Sequence, residues 1–165
     1  KKKEVLIEEI VEIVSGKKEP QIKTKQGRPP KMFGYSFANV FDEKLDFASI
    51  DVSFISLKLV LPVAKELLKD DGELLCLIKP QFEAGREKVG KKGVVREPET
   101  HIQVLEDFIN LATELDFVIQ GLTFSPVKGP EGNIEFLGHL SMTEGEDAAV
   151  SVSELVAQAH ESLKG

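Results

Sequence analysis

A chain of 165 residues is long enough for one domain with a buried core, and its 41% apolar and 30% charged residues are ordinary for a soluble protein. The net charge of −7 at pH 7 argues against a general affinity for phosphate polymers. No apolar run approaches the roughly 18 residues that span a bilayer, and no signal peptide is recognisable. A single cysteine, Cys76, excludes a disulfide within the chain, so a cytoplasmic location is expected.

The first 45 residues are predicted to form a leader ahead of a folded domain. Residues 3–14 place apolar side chains at helical spacing between glutamates, which is typical of a short amphipathic helix. Residues 17–34 are polar and basic and are interrupted by prolines and glycines, as in a linker or an exposed loop. We therefore expect a leader over residues 1–45 and a domain over residues 46–165.

An alternation of strands and helices begins at about residue 46. Residues 47–54, FASIDVSF, predict a buried strand that ends near Asp51. Residues 57–69 predict a helix, which the following Asp-Asp-Gly closes. Residues 73–79, ELLCLIK, predict a second buried strand that is apolar on both faces, as expected near the centre of a parallel sheet.

The C-terminal part of the chain predicts two helices and a hairpin. A helix is expected from Pro98 to about Glu114, because proline favours the first helical position. Residues 117–126 and 133–142 read as two strands joined by a glycine-rich turn, and residues 152–163 read as a last helix. This order predicts an α/β fold, the C-terminal half of a Rossmann-like sheet that is mostly parallel with one antiparallel strand.

Charged side chains follow the two predicted parallel strands. Open α/β sheets bind ligands beyond the carboxyl ends of their strands, so Asp51 and Lys79 are expected in one cleft. Glu135 is within reach of Lys79 if the strand after the hairpin turn lies beside it. A carboxylate, a lysine and a second carboxylate are able to handle a proton, but they also form structural ion pairs. The residues alone leave both readings open.

A basic segment follows Lys79 in this acidic protein. Residues 79–96 carry six basic and two acidic side chains, a local charge of +4. The loop from Gln81 to Gly93 leaves the predicted cleft directly, so its cations are placed to contact phosphates, although such loops are often only solvated surface. The candidate RNA contacts are Arg86, Lys88, Lys91 and Lys92, together with Lys128 of the hairpin turn.

The histidines and the cysteine give no metal-binding pattern. One cysteine and three scattered histidines lack the spacing of a metal site, so no metal is expected. His101 is expected to face solvent or to cap a helix start. His139 lies in an apolar strand and is expected to be a hydrogen-bonded core histidine.

Three segments carry a family resemblance that covers about residues 46–141. They are DFASIDVSFISLKLVLP, LIKPQFEAGREKVGKKGVVREP and GLTFSPVKGPEGNIEFLGHL. In this order they resemble the TlyA-type family, also called hemolysin A, whose members are similar to FtsJ-like ribosomal RNA 2′-O-methyltransferases. The resemblance implies a Rossmann-like methyltransferase that uses S-adenosylmethionine and acts on ribosomal RNA or a ribosomal subunit.

The resemblance also implies roles for individual residues. Such enzymes use a lysine–aspartate–lysine–glutamate set, in which Asp51 matches the aspartate, Lys79 the second lysine and Glu135 the glutamate. Lys79 would be the base or would steer the ribose 2′-hydroxyl. Asp51 and Glu135 would set its charge and orientation.

Residues 1–45 depart from the family pattern as far as the sequence alone shows. They contain no recognisable first lysine of the set and no glycine-rich turn for the cofactor, so the cofactor-binding residues are unknown, with only Asp51 adjacent. We therefore expect a partial methyltransferase domain, its C-terminal half, behind an unrelated or rearranged leader. The strand that ends in Asp51 would then lie at an open edge of the sheet. We expect this edge to be covered by residues 20–26 or by a second copy of the chain in a homodimer.

Two other functions were weighed. A non-catalytic RNA-binding remnant would keep the basic loop without the cofactor pocket. Membrane lysis, which the hemolysin label implies, is not favoured, because the helix predicted over residues 3–14 has a glutamate-rich polar face that anionic lipids repel.

Overall fold

The computed structural model of the protein describes residues 43–164. The helix predicted over residues 3–14, the linker predicted over residues 17–34 and the segment 20–26 lie outside this range. The division between a leader and a domain at residues 45 and 46 therefore stays a prediction.

The described residues form a four-stranded mixed sheet with helices. Its strands are β1 (Leu45–Ile50), β2 (Leu68–Ile78), β3 (Val118–Phe124) and β4 (Phe136–Ser141). The strand order is β1-β2-β4-β3, with β1 and β2 parallel and β4 antiparallel to both β2 and β3. The predicted fold class, a mostly parallel sheet with one antiparallel strand, is confirmed.

Four helices accompany the sheet within residues 43–164. They are α1 (Leu57–Leu67), the one-turn α2 (Pro80–Glu83), α3 (Pro98–Glu114) and α4 (Val152–Ser162). The predicted bounds of α3 agree with the structure, because Pro98 occupies the first turn, where its missing N–H costs nothing. The bounds of α4 agree within one residue.

The junction between α1 and β2 differs from the prediction. The helix ends at Leu67 and the strand begins at once with Leu68, five residues earlier than expected. The β1–β2 register jumps from Leu45–Leu68 to Phe47–Glu73, so the Lys-Asp-Asp-Gly stretch forms an irregular start of the strand. The Asp-Gly pair therefore bends a strand and does not end the helix.

The core lies on the face of the sheet that α3 covers. In β2 the side chains of Leu74, Cys76 and Ile78 are fully buried, whereas Leu75 on the other face is 38% exposed in the described part of the chain. β2 was expected to be buried on both faces, but only the face that carries Leu74, Cys76 and Ile78 is fully buried. Phe108 of α3 packs so closely over β4 that a Cβ at Gly138 would lie 2.6 Å from the phenyl ring.

The burial predicted for each of the two histidines is wrong, whereas the hydrogen bond predicted for His139 is confirmed. His101, expected at the surface, is fully buried in the first turn of α3. Its Nδ1 lies 2.8 Å from Nε2 of His160 in α4, and its ring meets Phe136 edge-on. His139, expected in the core, is partly exposed and lies 3.1 Å from Glu73. Packing of α4 over α3 buries the first, while the less covered face of the sheet exposes the second.

The outer edge of β1 was expected to be covered. Among residues 43–164, β1 is the terminal strand of the sheet. Its pairing with residues 20–26 or with a second copy of the chain stays a prediction. No helix of the described residues is long and apolar enough to cross a membrane.

Candidate active site

Asp51 and Lys79 meet where the two parallel strands end. Asp51 directly follows β1 and Lys79 directly follows β2, its neighbour in the sheet. The Nζ atom of Lys79 lies 2.7 Å from Oδ1 of Asp51 and donates a second hydrogen bond, of 3.2 Å, to Oγ of Ser53. The Lys79 side chain is 12% exposed and that of Asp51 is 70% exposed. A nearly buried ammonium is thus paired with a carboxylate that remains open to a ligand.

Glu135 approaches the same place from the antiparallel strand. It immediately precedes Phe136, which pairs with Ile78, so the sheet register sets Glu135 opposite Lys79. The Glu135 side chain is buried, and its Oε1 accepts a hydrogen bond of 3.0 Å from Nε2 of Gln81. Among the described residues the carboxylate is bonded to Gln81 and not to Lys79.

A cavity of about 340 Å³ joins these groups. Lys79, Gln81 and Glu135 line it on the sheet side. Ser53 and Phe54 line it from the loop after β1, and Lys92 lines it from the basic segment. The three residues predicted from the sequence are therefore brought to one site, two of them in the cavity wall and Asp51 through its ion pair with Lys79.

Phe54 is a site residue that the sequence reasoning missed. Its side chain is 88% exposed, and its backbone has a φ of 63°, the left-handed region that bulky residues rarely adopt. Its ring lies against Phe82, with centroids 4.9 Å apart and planes at 51°. The sequence signal that could have identified Phe54 is the presence of a phenylalanine in the short loop between Asp51 and the start of α1. The cavity wall thus includes an exposed aromatic ring on a backbone in a rarely adopted conformation.

Glu83 joins the two loops that form the site. Its Oε2 accepts from the hydroxyl of Ser56, at 2.7 Å, and its Oε1 accepts from the backbone N–H of Leu57, at 2.9 Å. Ser56 is the N-cap of α1, so this carboxylate fixes the start of the helix to α2. Burial raises the pKa of Glu83, and the two hydrogen bonds oppose that shift. The loop that carries Asp51 is thereby held to the segment that follows Lys79.

The Glu83→Ala variant should be less stable by about 1–3 kcal/mol, because the Leu57 N–H loses its acceptor in a partly buried position. Urea unfolding of the full chain measures the difference. Glu106→Ala, at an exposed position of α3, is the matched control and should change the free energy of unfolding little. Equal stability of the two variants would show that Glu83 does not hold the loops together.

The basic segment is ordered by a buried asparagine. Asn133 accepts from the N–H of Val95 at 3.0 Å and donates to the carbonyl of Gly93 at 2.9 Å. These bonds tie the segment to the turn before β4. Asn133 was not predicted, since its partners lie about 40 residues away in the sequence.

The structure places the predicted RNA contacts in two areas. Arg86, Lys88, Lys91 and Lys92 are all exposed on the segment after α2. Lys92 lines the 340 Å³ cavity, and Arg86 lines a neighbouring hollow beside Phe54. Lys128 is exposed elsewhere, in a hollow that it shares with Arg96 and His160. The segment thus brings Lys92 to the cavity and Arg86 to the hollow beside it, whereas Lys88, Lys91 and Lys128 line neither.

Comparison with known families gives one match over most of the chain. The family model of the FtsJ-like methyltransferase matches residues 6–142. The match reaches further toward the N-terminus than the resemblance read from the sequence, which began at about residue 46. The region that contains Asp51, Lys79 and Glu135 lies inside it.

Individual relatives are similar over the same region. The chain is 48% identical over 124 residues to the "Putative rRNA methyltransferase YqxC" of Bacillus subtilis, covering 72% of this chain and 44% of that protein. It is 34% identical over 120 residues to the "16S/23S rRNA (cytidine-2'-O)-methyltransferase TlyA" of Mycobacterium tuberculosis, covering 73% and 44%. The chain therefore spans less than half the length of these curated relatives.

A solved structure shows the same fold. A "Putative hemolysin" from Streptococcus thermophilus superposes with a TM-score of 0.70 at 45% sequence identity. The superposition covers 84% of this chain and 52% of that one.

Proposed function

Because the chain belongs to the FtsJ-like methyltransferase family, we propose that it acts as an S-adenosylmethionine-dependent ribosomal RNA 2′-O-methyltransferase that reacts in the Lys79 cavity. The family match confirms the resemblance, and the relatives named as rRNA methyltransferases support the choice of substrate. The observation that carries the proposal is the Lys79–Asp51 ion pair. It lies at the ends of two parallel strands, at the cavity that Lys79 and Glu135 line.

Lys79 is the group that meets the reacting hydroxyl. An ammonium has three N–H donors, and Asp51 and Ser53 take two of them. The third is free to point at a ribose 2′-oxygen in the cavity. As the ammonium, Lys79 orients this oxygen with that N–H. To act as the base, it must first lose one proton to solvent, and the neutral amine then takes the hydroxyl proton. Asp51 and Glu135 stabilise the positive charge on the lysine in both cases.

The cavity residues fit the reacting end of S-adenosylmethionine. The volume of about 340 Å³ lies within the range of small-molecule sites. The methyl-bearing sulfonium is positively charged, and the carboxylates of Asp51 and Glu135 would supply the opposite charge at this site. When bound, this cofactor supplies an electrophilic methyl group. Asp51 is the residue of the described chain that would hold it.

Phe54 and the basic segment suit the RNA. Sequence-selective RNA binding uses unpaired bases that stack on aromatic rings, and the exposed ring of Phe54 lies at the cavity that holds Lys79. Cations of the segment after α2 would hold the phosphates on both sides of the nucleotide. The target ribose would then reach Lys79 while its base rests on Phe54.

The test is transfer of a labelled methyl group. The chain is incubated with methyl-labelled S-adenosylmethionine and bacterial ribosomal subunits, and label in the purified ribosomal RNA is counted. Label in the RNA supports the proposal. Label that stays in the cofactor, with folded protein and intact subunits, overturns it.

RNA binding without methyl transfer is the second candidate. It is favoured by the exposed cations of the segment after α2, which need no methyl donor. Calorimetric titration distinguishes the two functions. Heat of binding on addition of S-adenosylmethionine supports the enzyme, whereas binding of RNA alone supports the second candidate.

Neutralising three cations of the segment should weaken the salt dependence of RNA binding. For the triple variant Arg86→Gln, Lys91→Gln, Lys92→Gln, we expect the slope of log affinity against log salt to fall by about 2, since each phosphate contact contributes about 0.7–0.9. Filter binding at several salt concentrations measures it. Lys65→Gln, whose lysine pairs with Asp116 at 3.0 Å, is the control with an unchanged slope. An unchanged slope in the triple variant would place the RNA elsewhere.

A further inference from the structure

Gln81 is a polar residue of the cavity to which neither the sequence nor the family resemblance gave a role. It lies two residues after Lys79, in the single turn of α2. Its Nε2 donates to Oε1 of Glu135 at 3.0 Å, and its side chain lines the same cavity as Lys79. The amide oxygen cannot take the place of the nitrogen, because it would face a carboxylate oxygen without a proton between them.

The Glu135 side chain is fixed from two sides. On one side is Gly129, where a Cβ would overlap the carboxylate, so the turn before β4 already touches it. On the other side is the amide of Gln81. Because Glu135 is buried, few other donors reach it, and the Gln81 bond decides how its two oxygens are oriented.

Among the described residues, only one end of the Gln81 amide is paired. Its Oε1 is buried and has no hydrogen-bond partner in the described part of the chain. A buried acceptor without a partner costs about 1–3 kcal/mol, but an apolar side chain in its place would remove the donor to the buried Glu135 carboxylate. The amide is therefore retained at a cost, and the group that benefits is Glu135.

We propose that Gln81 is a positioning residue that holds Oε1 of Glu135 so that Oε2 faces the reacting groups in the cavity. The inference rests on the proposed methyl transfer. The charged groups around Glu135 are Lys79 and Asp51 from the strand ends, Lys92 from the basic segment and Glu131 from the turn. Without the Gln81 bond, the carboxylate would be free to turn toward Lys92 and away from its place opposite Lys79.

Two variants and a control test the positioning role. Gln81→Leu removes the donor, and we expect kcat for methyl transfer to fall about 10–100-fold with KM for RNA within about 2-fold of wild type. Gln81→Glu keeps the side-chain size but places a second carboxylate against Glu135. Its kcat at about pH 8 should therefore be as low as that of Gln81→Leu. Gln103→Leu is the matched control, since Gln103 makes an exposed bond of the same length, 3.0 Å, to Asp107. Its kcat should equal that of wild type.

Lowering the pH separates positioning from a structural role. When the new carboxyl of Gln81→Glu takes up a proton, it is again a donor to Glu135, so its kcat relative to wild type should rise from about pH 8 to about pH 6. Gln81→Leu, measured on the same samples, should show no such recovery.

The outcomes distinguish this inference from the proposed function. A wild-type chain that transfers no methyl group overturns the proposed function. An active wild type with Gln81→Leu equally fast, or with both variants following the same pH course, overturns the role of Gln81 alone. Should Gln81→Leu fail to fold, as monitored by circular dichroism, the pH course of Gln81→Glu decides: recovery supports the role and a flat course overturns it.

Discussion

The Lys79→Ala variant should lose methyl transfer to ribosomal RNA by about 10³-fold or more, because a positioned acid–base or orienting group contributes about 10²–10⁴ in rate. The substitution removes the group that holds both Asp51 and Ser53. Since the Lys79 side chain is at the cavity wall, the fold should persist. Label transfer under single-turnover conditions measures the rate, and circular dichroism measures the fold.

Lys79→Arg distinguishes steering of the ribose hydroxyl by the lysine from its action as a base. Arginine keeps the charge and the pairing with Asp51 but does not release its proton in proteins. Steering of the hydroxyl would leave Lys79→Arg measurably faster than Lys79→Ala, whereas action as a base would leave the two equally slow. Lys65→Ala, on the exposed part of α1, should retain full activity. A Lys79→Ala protein that transfers methyl groups at the wild-type rate would contradict the assigned role.

Acidification should destabilise the protein through the buried histidine, His101. Burial and the nearby His160 lower the pKa of His101 to about 4, from an ordinary value of 6.5. Between these two pH values the unfolded chain binds a proton that the folded protein does not bind. Stability from this residue is therefore complete above about pH 6.5 and is lost as the pH falls toward 4. The full loss is about 3 kcal/mol, at 1.36 kcal/mol per pH unit.

The contact between the rings opposes protonation of both at once, in addition to the effect of burial. Nδ1 of His101 and Nε2 of His160 are 2.8 Å apart, so one nitrogen must donate and the other accept. Two protonated rings would bring two N–H groups together. Burial also lowers the pKa of His160. The remaining nitrogen of His101, Nε2, is buried without a partner in the described part of the chain.

Urea unfolding at about pH 7.5 and about pH 5 measures this effect. The stability difference between wild type and His101→Leu should shrink by about 2 kcal/mol on going to the lower pH, since the variant has no proton to bind there. Groups that do not contact His101 titrate alike in both proteins and cancel in the difference, which leaves the effect of His101 and of its neighbour His160. His139→Leu, at the partly exposed histidine, is the control. Parallel pH courses of wild type and His101→Leu would contradict the account.

Local signals in the sequence were sufficient to predict most of the helices and strands. Pro98 marks the start of α3 because its ring suits only the first turn, and the glycine-rich turn marks the β3–β4 hairpin. The start of β2 was placed too late, because an Asp-Gly pair ends a helix or bends a strand with equal ease. Which of the two occurs depends on pairing with β1, which local propensity does not contain.

Contacts between site residues could be predicted from the sequence where they depend only on the order of the strands. Asp51 and Lys79 follow neighbouring parallel strands, so their meeting required only the topology. The hydrogen bonds of Gln81 and Glu83 span 54 and 26–27 residues of sequence, respectively, and no local pattern records them. His101 was misplaced for the same reason, since its burial depends on α4, which follows about 50 residues later.

Mapping of the methyl group to one atom tests the central claim most directly. A methylated 2′-oxygen cannot attack the adjacent 3′-phosphate, so alkali leaves that linkage uncut. After incubation of the chain with labelled S-adenosylmethionine and ribosomal subunits, we predict that the label is recovered in an alkali-resistant dinucleotide. Label released in ordinary mononucleotides would place the methyl group on a base and contradict the assignment of Lys79, Asp51 and Glu135 to the ribose hydroxyl.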